Sequence, residues 1–171
     1  NSQRKKGLSH QNIIRVSNKI VNEFNNWKKR DLSQTDVLYL IFDGIRLGVR
    51  KNTTEKEAIL IAWGFLEDGS RELIGVSLGN QESYSSWKYF LDDLIRRGLN
   101  EPLLTVIGGC PGLIKAVAEV FPVSNIQRCT KHKTENVLNK VLKNDRDKVK
   151  DSLGKIFYVL TYEHALEAIE L

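Results

Sequence analysis

Tyr39-Leu-Ile-Phe-Asp43-Gly-Ile-Arg-Leu-Gly-Val-Arg50 sets one carboxylate in the middle of an otherwise apolar run. Isolating an ion among such residues costs several kcal/mol unless something compensates it. Asp43 is therefore expected to face a metal or a polar cleft. The β-branched and aromatic content makes residues 37–50 a strand. Residues 57–66 read as a second strand, Asp68-Gly69 as a two-residue hairpin turn, and residues 71–79 as an antiparallel return. Three consecutive strands of this kind make a meander.

Downstream of the meander the spacing predicts a helix over 83–97. Ser83 caps it, Trp87, Leu91, Leu94 and Ile95 form its buried stripe, and Gly98 ends it. A strand over 103–107 runs into Gly108-Gly-Cys-Pro-Gly112. A helix over 112–121 follows, with Pro111 in its first turn and Pro122 beyond its end. Then come a short strand over 123–128, a basic helix over 131–143, and two further helices. The first of these carries Val149, Leu153, Ile156, Phe157 and Leu160; the second carries Ala165, Leu166 and Ile169. Upstream, residues 8–30 read as an amphipathic helix capped by Ser9. Ile13, Val16, Ile20, Phe24 and Trp27 make its apolar stripe, and Arg15, Lys19, Lys28 and Lys29 its polar face. With no partner helix before it, this segment is expected to be a strut laid on the main domain.

The order β-β-β-α-β-α-β-α is that of the α/β ribonuclease H-like fold. There the first and fourth strands lie side by side at the sheet centre. Asp43 and Gly108, 65 positions apart, are thus expected to be neighbours. The expected organisation is a helical segment over 1–35, the ribonuclease H-like core over 36–130, and a basic helical extension over 131–171.

Charge is distributed unevenly. The net charge is +5, but residues 1–30 carry +7, residues 31–127 carry −4, residues 128–150 carry +5 and residues 151–171 carry −3. An acidic middle between basic flanks suits a protein that holds a polyanion beside a cation-binding centre. Lys131, Lys133, Lys140, Lys143, Arg146, Lys148 and Lys150 form the best candidate for contacts to a DNA backbone, with a solvated helix pair as the plainer reading. No aromatic residues are interleaved among them, which argues against a groove that stacks single-stranded bases. The 41% hydrophobic content supplies a core, and no apolar run approaches the roughly 18–20 residues that span a bilayer. Cys110 and Cys129, in a chain without a signal-like start, are expected to be reduced thiols in a cytosolic setting. A chain that begins Asn1-Ser2-Gln3 and holds no methionine reads as a fragment of a longer product.

Other chemistries are weaker. Cys129-Thr-Lys-His132 is half of a zinc site, with only Cys110, His10 and His164 to complete four ligands. As a nucleophile and base the pair lacks an oxyanion loop. Gly108-Gly-Cys-Pro-Gly112 lacks the Gly-Lys-Ser/Thr ending of a phosphate cradle. Asp92, Asp93, Glu55 and Glu57 read as surface acids, and Glu135 as a possible substitute acid one turn beyond His132.

Several segments together resemble one family. Asp43-Gly-Ile-Arg-Leu-Gly-Val-Arg50 is similar to the first-acid strand of the mutator-type transposases of bacterial and archaeal insertion sequences. Gly75-Val-Ser-Leu-Gly79 with Glu82-Ser-Tyr-Ser-Ser-Trp87 resembles their returning strand and Trp helix, and Asp92-Asp-Leu-Ile-Arg-Arg-Gly-Leu99 the end of that helix. Pro111-Gly-Leu-Ile-Lys-Ala-Val117 is similar to the segment after the second acid. Phe121-Pro122 and Gln127-Arg-Cys-Thr-Lys-His132 resemble the later Cys-x-x-His segment, and Ile156-Phe-Tyr158 and Glu163-His-Ala-Leu-Glu-Ala168 the tail. The resemblance runs in order over about residues 8–170.

The resemblance implies a DDE-type core, in which two Asp and one Glu hold divalent ions, usually Mg²⁺ (or Mn²⁺), for DNA cleavage and strand transfer. Asp43 matches the first acid as catalytic and metal-holding residue. Gly108 stands where the family has its second Asp, and the third acid is expected beyond the end of this chain. Cys129 and His132 are then supporting residues that orient the centre, with a plain core cysteine and surface histidine as the alternative. Metal binding is expected to be weak or absent, and this polypeptide alone is expected not to cut or join DNA. The implied partners are double-stranded transposon ends and target DNA, and further copies of the chain. The expected location is the cytoplasm, at the nucleoid. The alternative is a non-catalytic DNA-binding or self-associating domain derived from a transposase.

Overall fold

The structure, a computed structural model, describes residues 9–46, 58–79 and 82–169. The end of the first expected strand, Glu55 and Glu57 lie outside the described residues. Helix α1 (His10–Lys28) leads into strands β1 (Val37–Arg46), β2 (Ala58–Leu66) and β3 (Arg71–Gly79). Helix α2 (Tyr84–Arg96), strand β4 (Leu104–Ile107), helix α3 (Pro111–Val120) and strand β5 (Asn125–Arg128) follow. Helix α4 (Thr130–Leu138), a 3₁₀ turn (Lys143–Asp145), and helices α5 (Arg146–Phe157) and α6 (Tyr162–Ile169) complete the described chain.

The strands form one sheet in the order β3-β2-β1-β4-β5. β1 runs antiparallel to β2 and parallel to β4, and β4 runs parallel to β5. This is the ribonuclease H-like arrangement. The hairpin forms where expected but as a three-residue loop, Glu67-Asp68-Gly69, rather than a two-residue turn: Leu66 N–H donates to Ser70 O at 2.9 Å, Gly69 N–H donates to Leu66 O at 3.0 Å, and Gly69 takes the positive φ of 81°. Phe42 pairs with Ile107, so Asp43 and Gly108 each stand one residue further along neighbouring parallel strands. The adjacency expected from the element order is present.

Alternation along the strands decides what the sheet covers. Leu40 and Phe42 of β1, Leu60 and Ala62 of β2, Ile74 of β3 and Ile107 of β4 are buried. They meet Trp87, Phe90, Leu91 and Leu94 of α2 and Leu113, Ala116 and Val117 of α3. Phe42 meets the rings of Trp87 and Phe90 edge-on at 5.9 and 6.3 Å. Side chains of this class contribute about 1.5–3 kcal/mol each on full burial. The opposite face carries Tyr39, Asp43 and Ile45 of β1, Trp63 of β2 and Leu78 of β3, all exposed.

Three further expectations need correction. Ile95 is 41% exposed, and Phe90 takes the place expected of it in the α2 stripe. The basic helix stops at Leu138, with Asn139 at its C-cap, so Lys140 and Lys143 lie beyond it. Helix α1 is capped by Ser9 as expected, yet none of its residues is buried, and Ile20 is 59% exposed. Ile13, Val16, Ile20 and Phe24 of its apolar stripe are all exposed, and only Trp27 at its end is half-buried. The helix is held at its C-terminal end by polar contacts instead. Arg30 donates to the carbonyls of Ile74 at 3.2 Å and Leu73 at 2.7 Å and to Glu72 Oε1 at 2.8 Å, and lies over the Trp27 ring. Arg97, whose burial lowers its pKa, donates to the carbonyls of Lys28 and Ile74. Among the described residues no helix is long and apolar enough to cross a membrane.

Candidate functional site

The C-terminal ends of β1, β4 and β5 point the same way, and ligands of open α/β sheets collect outside such ends. A cleft of about 290 Å³ opens there, lined by Asp43, Gly44, Glu82, Gly108, His132 and Asn136 among others. The side chain of Asp43 is 49% exposed in it. Its carboxylate thus keeps its hydration, which resolves the cost of placing it in an apolar strand. Gly44 N–H donates to Asp43 Oδ1 at 2.9 Å, holding the carboxylate against its own backbone.

His132 reaches the cleft from the first turn of α4. Its Nε2 lies 3.5 Å from Asp43 Oδ1. Its Nδ1 is buried and has no hydrogen-bond partner among the described residues. A Cβ built on Gly108 would lie 3.3 Å from that same Nδ1. The imidazole therefore stands between the aspartate and the position from which a side chain at 108 would emerge. One ring nitrogen is beside a carboxylate, and the other faces a residue with no side chain to offer.

Two glycines in the cleft wall make room for charged side chains. A Cβ on Gly44 would lie 2.7 Å from Glu82 Cδ, so the glutamate lies directly against the strand. Alternation puts Gly44 on the covered face and Asp43 on the open one, so the two carboxylates approach β1 from opposite sides. Gly109 has φ +96°, and a Cβ there would lie 1.8 Å from Arg128 Nη2. The Arg128 guanidinium occupies that space at the rim of the cleft.

Of the other residues singled out from sequence, Cys129 is half-buried at the N-cap of α4 and does not line the cleft. Its backbone N–H donates to Ile107 O at 2.9 Å, extending the β4–β5 ladder by one bond. Cys110 does line the cleft and donates its thiol to Glu82 O at 3.0 Å. Glu135 is exposed and lies outside the lining, where Asn136 stands instead. Lys131 and Lys133 flank His132 on α4. Lys140 and Lys143 follow that helix, and Arg146, Lys148 and Lys150 lie on α5. All seven are exposed and, among the described residues, form no ion pair. Sequence reasoning missed Glu82, Asn136 and Arg128. The signal for the first and last was the glycine each side chain lies on, legible only once the strands are paired.

The residues present do not fit a divalent-metal centre of the DDE type. Asp43 has Gly108 beside it, and among the described residues no three His, Cys, Asp or Glu side chains come together as a metal-holding group.

Comparison with known proteins bears on the family. The family model described as Transposase, Mutator family, matches residues 3–171. The transposase for insertion sequence element IS6120 of Mycolicibacterium smegmatis is 43% identical over 132 residues, covering 77% of this chain and 41% of that protein. The transposase for insertion sequence element IST2 of Acidithiobacillus ferrooxidans is 32% identical over 169 residues, covering 97% of this chain and 56% of that protein. The chain thus spans roughly half the length of these two relatives. Among solved structures, the catalytic domain of Mos1 mariner transposase aligns with 96% of this chain and 89% of its own at 11% identity, with a TM-score of 0.37, too low to carry an argument. The match over nearly the whole sequence establishes that the chain belongs to the mutator family of transposases.

Proposed function

We propose that this chain is the DNA-handling core of an insertion-sequence transposase whose own strand-cutting chemistry is disabled at position 108. The observation that supports the reading is the placement of Asp43 beside Gly108, each one residue beyond the paired Phe42 and Ile107 of the two central strands, with the orphaned Nδ1 of His132 facing that glycine. Losing one anionic ligand of a hard cation weakens its binding sharply. In this reading Lys131, Lys133, Lys140, Lys143, Arg146, Lys148 and Lys150 hold duplex DNA through its phosphates, setting affinity and salt dependence without reading sequence. Asp43, held by Gly44 N–H and faced by His132, keeps its position in the cleft without completing a reaction centre. The protein works in the cytoplasm, at the nucleoid, on transposon ends and target DNA.

The test compares the unaltered chain with Gly108→Asp in two assays: Mn²⁺ titration followed by magnetic resonance of the free ion, and Mg²⁺-dependent nicking of a cognate insertion-sequence end. The unaltered chain is expected to bind Mn²⁺ weakly and to leave DNA intact, and Gly108→Asp to bind Mn²⁺ at least tenfold more tightly. Clear nicking by the unaltered chain overturns the assignment. A second reading, a self-associating domain without catalysis, is favoured by the uncovered apolar stripe of α1. Concentration-dependent mass in sedimentation, together with no DNA affinity, would select it.

A further inference from the structure

We infer that Arg128 is a DNA-phosphate contact at the rim of the Asp43 cleft, positioned by Gly109; the inference rests on the DNA-handling reading above. Arg128 is the last residue of β5, paired with Ile107 at the end of β4. Its guanidinium is laid over the Gly108–Gly109 turn, with Nη2 at 3.5 Å from Gly108 O. That is too long to satisfy the group, and a guanidinium has five N–H donors to place. Among the described residues no carboxylate pairs with Arg128. An exposed arginine usually sweeps through many rotamers. This one fills a volume that any residue but glycine at 109 would occupy, since the Cζ lies 2.1 Å from where a Cβ would be.

Three features give that placement a use. A guanidinium fork matches the two free oxygens of a phosphodiester, which an ammonium cannot do with the same directionality. The site lies at the C-terminal ends of the parallel strands, beside Asp43 and His132, where a backbone phosphate must come for any chemistry at this cleft. Lys131 and Lys133 follow within five residues, in the first turn of α4, and add positive charge close to the same end of the sheet. The basic residues expected from sequence to contact DNA set general affinity. Arg128 sets where along the cleft the phosphate sits.

The experiment is equilibrium binding of a fluorescein-labelled DNA duplex to the intact chain over a salt series, read by anisotropy. Arg128→Gln sits on an exposed edge strand and is expected to fold. It should weaken binding about tenfold at low salt and reduce the slope of log K against log salt by about 0.9, the value of one phosphate contact. Lys155→Gln, the same charge change at an exposed site on α5 away from the cleft, should leave affinity within about twofold, since it removes no phosphate contact. Gly109→Ala keeps the arginine's charge but displaces it. Where circular dichroism shows this variant folded, it should lose affinity as Arg128→Gln does. Equal effects of Arg128→Gln and Lys155→Gln, or full affinity in folded Gly109→Ala, overturn the inference while leaving the DNA-handling reading intact. No binding by the unaltered chain overturns both.

Discussion

Thr105 and Ser124 share a hydrogen bond, Oγ1 to Oγ at 2.9 Å, between the two strands that carry Gly108 and Arg128 to the cleft. Thr105 is fully buried, whereas β5 is an edge strand whose four residues are all exposed. Beyond the backbone ladder, the polar ties on this edge include that bond, Glu101, which accepts from Ser124 N–H at 2.8 Å, and the longer contacts of Asn125 Nδ2 to Leu103 O and of Arg128 Nη2 to Gly108 O, both at 3.5 Å. Ser124→Ala leaves the Thr105 hydroxyl buried without its partner, which costs about 2–3 kcal/mol, the upper part of the range for an orphaned polar group. Thr105→Val should cost less, about 1–2 kcal/mol, because Ser124 keeps a contact to Asn125 O at 3.5 Å. Replacing both removes the polar pair together and should cost only about 1 kcal/mol. Urea denaturation of the four proteins measures the cycle. With a slope of about 2 kcal/mol per molar, the single variants move the midpoint by roughly 1 M and the double variant by half of that. Additivity within about 0.5 kcal/mol would refute the idea that these hydroxyls act as a unit.

Two further outcomes follow from the packing. Arg30→Ala should release α1 from the β3 edge and raise hydrogen exchange along His10–Lys28 severalfold, while the core melts within a few degrees of its original temperature; unchanged exchange in α1 would mean that the helix is held elsewhere. Phe42→Ala empties the space between Trp87 and Phe90 beneath the Asp43 strand and should cost about 3–5 kcal/mol in urea denaturation; a loss under about 1 kcal/mol would show that the aromatic cluster closes over the gap.

What the sequence revealed and what it hid divide along physical lines. β2 is an unbroken apolar run of β-formers, Ala58–Leu66, so its existence was legible, but its covered face was not, because the residues of both faces are apolar and only the fold buries Ala58, Leu60, Ala62 and Gly64. The cap at Ser83 is a local hydrogen bond to Ser86 N at 3.2 Å, and local chemistry is readable from local letters. The neighbourhood of Asp43 and Gly108 followed from element order, since few topologies accommodate a meander continued by two crossover units. Helix α2 went wrong by one position for an angular reason. At 3.6 residues per turn Phe90 and Leu94 fall within about 60° of Trp87, while Ile95 is about 80° round the other side. α1 went wrong because periodicity reports an apolar stripe and says nothing of what covers it. Glu82 and Arg128 lay outside reach altogether, each meeting the cleft across a glycine far away in sequence.

The glycines around the cleft differ in what the fold asks of them, and that difference bears on position 108. Gly109 holds a positive φ, and a Cβ there would enter the Arg128 guanidinium; Gly44 has Glu82 pressed against it. The positive φ makes glycine a requirement at 109, whereas at 44 the obstacle is the end of a flexible side chain. Gly108 has no left-handed backbone, and its nearest neighbours to a Cβ are ring atoms of His132 at 3.3 and 3.4 Å, an obstacle that a shift of a few tenths of an ångström removes. The backbone at 108 therefore admits a side chain. The ring it would touch turns towards it a nitrogen, Nδ1, that has no partner among the described residues. A glycine kept for its conformation leaves neighbours that need the space; here the neighbour is left lacking a bond.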